Sequence, residues 1–98
     1  MIRLWPSVSD RRHEVVLDDE DGRVFSPERV LVAIRTSSPS TLDESRMTYQ
    51  VNMRFHPQVG LNTRLTRLDG GQMIVRGYEN VGMRSIEINL LCEEVVTP

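Results

Sequence analysis

The ten residues Met47-Thr48-Tyr49-Gln50-Val51-Asn52-Met53-Arg54-Phe55-His56 alternate strictly in character. Met47, Tyr49, Val51, Met53 and Phe55 fall on one side, and Thr48, Gln50, Asn52, Arg54 and His56 on the other. Successive side chains of a strand point to opposite faces, so a period of two over this length predicts a half-buried β-strand. A helix of the same residues would scatter its apolar side chains around the whole circumference. Pro57 closes the segment, because it has no N–H to give to a ladder.

The same reading extends in both directions. Ile86, Ile88, Leu90 and Cys92 share one face of a second alternating segment. Ser85, Glu87, Asn89, Leu91 and Glu93 share the other, where Leu91 breaks the polar pattern and is expected to be covered by a partner subunit. Arg64 to Leu68 and Gln72 to Tyr78 flank Asp69-Gly70-Gly71, a hairpin turn in which glycine supplies positive φ. With the segment from Arg84 onward they predict a three-stranded meander. His13 to Leu17 and Arg23 to Phe25 flank the acidic turn Asp18-Asp19-Glu20-Asp21-Gly22 as another hairpin, and Arg29 to Arg35, apolar on both faces, reads as a more fully buried strand. Short strands punctuated this regularly predict an all-β fold: a small antiparallel barrel or sandwich of about six short strands.

Thr36 to Arg46 is the longest irregular stretch, read as one long loop. Thr41-Leu42-Asp43-Glu44 has the spacing of a helix capping box, but the apolar pattern after it is that of a strand, so one or two helical turns at most are expected there.

A length of 98 residues predicts one domain, residues 1–98. With 39% hydrophobic and 27% charged residues the chain is neither disordered nor fibrous. Its longest apolar runs, such as Val30 to Ile34, fall far short of a membrane span. The start, Met1-Ile2-Arg3-Leu4-Trp5-Pro6, lacks the apolar core of a signal peptide, and Cys92 is the sole cysteine. Both features predict folding in a reducing cytoplasm. The net charge of −2 is unlike that of a protein gripping duplex DNA through its phosphates. All twelve basic residues are arginine, a composition that fits a GC-rich genome and also suits ion pairs at subunit interfaces.

Few residues suggest chemistry. His13 and His56 stand apart, outside any ligand spacing, and are expected at the surface or at strand ends. Cys92 is expected to pack as a small hydrophobe, and Glu93 and Glu94 oppose ionisation of its thiol. Asp18, Asp19, Glu20 and Asp21 lack the alternating oxygens of a calcium loop. They read as a solvated tip that meets an arginine patch on a partner or faces DNA in a pore. No catalytic residue, metal ligand or cofactor site is expected, so the chain reads as a non-enzyme. Tyr49 and Phe55 are expected in the core. Trp5 either packs over one barrel end or anchors a partner, within an N-terminal extension, residues 1–12, that contacts a neighbour.

Two stretches carry a resemblance. One is Tyr49-Gln50-Val51-Asn52-Met53-Arg54-Phe55-His56-Pro57-Gln58-Val59-Gly60-Leu61-Asn62-Thr63-Arg64-Leu65; the other is Arg84-Ser85-Ile86-Glu87-Ile88-Asn89-Leu90-Leu91-Cys92-Glu93-Glu94-Val95. Together they resemble the head–tail joining, or head-completion (stopper), proteins of long-tailed phages. In that family a strand of the form aromatic-x-Val-x-x-Arg-aromatic leads through a turn to Arg-Leu, and the last strand ends in a Leu-Leu-Cys-Glu-Glu-like tail. The likeness runs from Val30 onward; residues 1–28 carry little of it, and no tryptophan stands between Arg29 and Arg35.

The resemblance implies a structural component of the virion neck, assembled in the host cytoplasm. It implies a homo-oligomeric ring of six or twelve copies below the portal and its adaptor, closing the DNA-filled head and docking the tail terminator. Genomic DNA would be a lumen contact only, and no membrane is involved. The stretch Thr36, Ser37, Ser38, Pro39, Ser40, Thr41, Leu42, Asp43, Glu44, Ser45 and Arg46 would face the lumen or a neighbouring subunit. Alternative readings are a tail terminator or other tail-tube-associated β protein, and a small nucleic-acid-binding β-barrel.

Overall fold

The computed structural model describes residues 10–37 and 47–95. Within them lie six strands: β1 (His13–Asp18), β2 (Val24–Ser37), β3 (Thr48–Arg54), β4 (Arg64–Arg67), β5 (Gln72–Asn80) and β6 (Glu87–Glu94). They close into an antiparallel barrel in the order β1-β2-β3-β6-β5-β4. Two meanders, β1-β2-β3 and β4-β5-β6, are joined along β3–β6 and β1–β4. Closure removes the exposed edges that an open sheet would carry.

The interior is filled by side chains spaced two apart. Val15 and Leu17 come from β1, Val32 from β2, Val51 and Met53 from β3 and Leu65 from β4. Met73 and Val75 of β5 and Ile88, Leu90 and Cys92 of β6 complete it, and all are buried. Each such aliphatic side chain stabilises the fold by roughly 1.5–3 kcal/mol relative to its exposed state. Tyr49 and Phe55 pack against this core, as their positions in the alternation predict.

Several boundaries depart from the sequence reading. The segments expected as separate strands at Arg23–Phe25 and Arg29–Arg35 form one 14-residue strand, β2. Pro27 is accommodated because the β1–β2 register shifts there: Val16 pairs with Arg29, but Asp18 pairs with Val24. An irregularity is where a strand tolerates a residue without an N–H. β2 is buried on both faces at Val32 and Ala33, but not along its whole length, since Leu31 is exposed. It runs on through Thr36 and Ser37, which pair with Tyr49 and Thr48 and so are not loop residues. Ser38 to Arg46, and any helical turn among them, lie outside the described residues.

At the other end of the chain, a 3-10 turn at Val81–Met83 and a bend precede β6, which begins at Glu87 and not at Arg84. Ile86 therefore leaves the core row and is 64% exposed. β5 carries a bulge at Arg76: Val75 pairs with Cys92, Gly77 with Leu91 and Tyr78 with Leu90. The extra residue reverses the alternation, so Tyr78 follows Val75 onto the face of Leu90.

Asn52 is the largest departure. Its position in the alternation predicts solvent, yet it is completely buried. It pairs in register with Ala33 and Asn89, both buried on the outer side of the barrel.

The connection from β3 to β4 joins strands on opposite sides of the ring, so it crosses one end of the barrel. Val59, His56 and Thr63 are buried there and close that end. His56 is thus a strand-end histidine, but not a surface one. Its ring stacks on Phe25 with centroids 5.5 Å apart. Nδ1 accepts the Gln58 N–H at 3.1 Å, so the proton sits on Nε2, which donates to the Ser26 carbonyl at 3.0 Å.

Candidate interaction surfaces

The acidic tip closes the β1–β2 hairpin. Asp19 is spent on the turn itself: its Oδ1 accepts the backbone N–H groups of Asp21 and Arg23, both at 2.9 Å. Gly22 takes φ +84° to complete the turn. Glu20 and Asp21 stand exposed with no ion pair among the described residues. Asp18 Oδ1 is buried without a hydrogen-bond partner. No group of three or more His, Cys, Asp or Glu among the described residues is arranged to hold a metal ion.

Between β2 and β3 the barrel wall parts. The ladder starts at Val32–Met53 and continues only toward Ser37 and Thr48. Below Val32 the strands diverge around an open groove of about 770 Å³. Its floor is apolar, formed by Val30, Leu31, Met53, Phe55 and Pro57. Arg11, Arg29 and Arg54 also line it, with no carboxylate among the lining residues. The His56–Ser26 hydrogen bond ties the two strands together again at the far end.

Arg11 belongs to the segment expected as an N-terminal extension, and it lies across the outer face of β3 and β6. Its Nε donates to Asn52 Oδ1 at 2.9 Å, and Nη2 lies 3.4 Å from Glu87 Oε2. Burial lowers the Arg11 pKa; Glu87 opposes this, and the like charge of Arg54 adds to it. Arg29 meets Glu14 at 3.7 Å. Arg54 has no ion pair among the described residues. Sequence reasoning missed this groove, because its arginines come from three separate segments and no local pattern joins them.

At the opposite end of the barrel, a cavity of about 490 Å³ is lined in part by Arg12, His13, Thr36, Tyr49 and Arg67. The Arg67 guanidinium lies over the Tyr49 ring, 5.7 Å from its centroid, and Nε is 3.6 Å from Asp69 Oδ1. Such a cation–π contact contributes roughly 0.5–2 kcal/mol.

The β5–β6 hairpin carries exposed apolar groups. Leu91, singled out as a contact residue, is 41% exposed and pairs in register with Gln50 and Gly77. Met83 is 90% exposed at the hairpin tip. Trp5, the other expected anchor, lies outside the described residues.

Cys92 faces the core, and burial raises its pKa to about 12. It packs as the small hydrophobe its position suggested. No helix among the described residues is long and apolar enough to cross a membrane.

No protein-family model and no curated protein sequence matches the chain.

Proposed function

We propose that this chain is a structural ring subunit of the head–tail neck of a tailed bacteriophage, sitting below the portal and adaptor, closing the filled head and receiving the tail. The observation that carries the reading is the filled barrel. Eleven buried apolar side chains from six strands pack its interior, as in small barrels whose lumen is a core. The distinctive groups of the chain therefore lie outside it, in a charged hairpin tip, a parted seam and exposed apolar residues, which are features of protein contacts. The resemblance selects the assembly. Its two stretches are far apart in sequence yet adjacent in the fold, where β3 and β6 form one ladder from Thr48–Glu93 to Arg54–Glu87. A ring needs two unlike patches on each subunit, and the acidic tip and the arginine-lined groove are unlike patches.

The test is a nonsense codon in this gene in its source genome, with the lysate imaged by negative-stain electron microscopy. Separate heads and complete free tails are expected, and heads that have lost DNA support the closure role. Misshapen or overlong tails transfer the protein to tail termination, and intact joined particles overturn the virion reading.

A further inference from the structure

Among the described residues, Arg54 of the parted seam and Glu20 and Asp21 of the acidic tip have no ion pair. On the groove side, Leu31 of the apolar floor is exposed, and Arg54 lies in a lining that contains no carboxylate. On the tip side, Glu20 and Asp21 are exposed, while Asp19 is consumed by the turn. The tip cannot serve its own groove. It joins β2 to β1, whereas the groove opens on the β3 side of β2, and β1 and β3 flank β2 on opposite sides.

We infer that the groove between β2 and β3 receives the acidic β1–β2 tip of a second copy of this chain. The argument is charge complementarity on both sides. Four consecutive acids accompanied by one arginine, Arg23, form the tip, and three arginines line the receiving groove. Val24, exposed just past the tip, offers an apolar group to the floor of the groove. Desolvating the tip beside Arg29 and Arg54 strengthens each attraction relative to bulk water. Arg11 and Arg29 already meet Glu87 and Glu14, so Arg54 carries the new contact and Arg29 supports it.

The geometry makes the contact heterologous. A tip on one copy enters a groove on the next, whose own tip is left for a third. Repetition of such a contact closes into a ring when the rotation permits. This inference deepens the ring reading above and rests on it for closure, but the tip–groove contact itself is measured separately.

The experiment is sedimentation equilibrium on the full chain at low and high salt, with two charge-reversal variants. The tip variant carries Glu20→Arg and Asp21→Arg; the groove variant carries Arg29→Glu and Arg54→Glu. Circular dichroism confirms folding of each, and Arg54→Glu alone replaces the double variant if that one does not fold. Self-association of the native chain is expected to weaken with salt, and each variant alone to lose roughly tenfold or more in association constant. An equimolar mixture of the two variants restores association, because the native groove of one meets the native tip of the other and the reversed pair also matches.

Unchanged association in both variants overturns the inference. Such a result leaves the ring reading standing on other faces. No association of the native chain and none of the mixture also overturns it, while the nonsense-codon experiment still decides the neck assignment. An acidic segment of another protein, bound at the groove while copies of this chain ignore one another, would replace the occupant proposed here.

Discussion

Asn52 Nδ2 donates to Asn89 Oδ1 at 2.8 Å, a buried side-chain hydrogen bond across the β3–β6 ladder on the outside of the barrel. Arg11 completes the arrangement by donating Nε to Asn52 Oδ1 at 2.9 Å. Two amides are thus held away from water on a face that would otherwise be solvated. Each stays buried only because its partners are supplied, since an unsatisfied buried polar group costs about 1–3 kcal/mol.

Asn52→Ala is expected to destabilise the fold by about 2–3 kcal/mol, because it leaves both Asn89 Oδ1 and Arg11 Nε without their partner. Arg11→Ala removes one bond and the part-buried contact with Glu87, and should cost less. Urea titration monitored by circular dichroism checks both. Equal losses in the two variants would mean that the pair is not anchored through Asn52.

Cys92 should be silent to thiol reagents in the folded protein and reactive after unfolding. Burial raises its pKa to about 12, against about 8.5 in an unfolded chain. The sign follows from the thiol being the form the fold prefers. The associated stability is fully present below pH of about 8.5 and is lost as pH rises toward the folded value, with a slope of up to about 1.4 kcal/mol per pH unit. Cys92→Ala, at a cost of about 1 kcal/mol for the lost sulfur, should flatten that part of the alkaline stability profile. An identical profile in the variant would show that other groups govern it.

The two glycines of the Asp69-Gly70-Gly71 turn should respond differently to alanine. Gly70 has φ +92°, so Gly70→Ala should cost about 1–2 kcal/mol in backbone strain. A methyl group at Gly71 would meet the Arg67 guanidinium, which is the movable end of a long side chain. Gly71→Ala should therefore cost little in stability while shifting Arg67 off the Tyr49 ring. Thermal melts separate the two costs, and the Tyr49 ring resonances in an NMR spectrum report the displacement.

At the tip of the β5–β6 hairpin, Met83 combines φ +53° with near-complete exposure. Met83→Gly removes a side chain that buries nothing and relieves a left-handed conformation. The gain is offset by the greater freedom of glycine in the unfolded chain, so the net change should lie between neutral and about 1 kcal/mol stabilising. A clear loss of stability would indicate that Met83 packs against something in solution.

His56→Ala should cost about 2–3 kcal/mol, since it strips the Ser26 carbonyl and the Gln58 N–H of their partner and removes the ring stacked on Phe25. The loss also opens the far end of the groove between β2 and β3. Faster amide exchange at Gln58 and Val59 than in the native chain would register that opening, whereas unchanged exchange would show that the segment is held by Val59 burial alone.

The alternation of Met47 to His56, the alternation around Ile88 to Cys92 and the glycine turns made the strands and the β4-β5-β6 meander legible in the sequence. These are local properties: a strand's period of two and a turn's positive φ depend on residues a few positions apart. Placing Cys92, Tyr49 and Phe55 against the core followed from the same periodicity. Tertiary structure alone decided the rest. Closure of β1 on β4 and of β3 on β6 depends on contacts between distant segments, as does the continuation of β2 through Pro27 by a register shift. The bulge at Arg76 moves Tyr78 to the opposite face without any change in residue type to announce it. Burial of Asn52 required Arg11 and Asn89 to arrive from opposite ends of the chain. The groove, with Arg11, Arg29 and Arg54 from three segments, exists only because two strands part after Val32 and Met53; polarity read along one strand carries no information about where its neighbour leaves it.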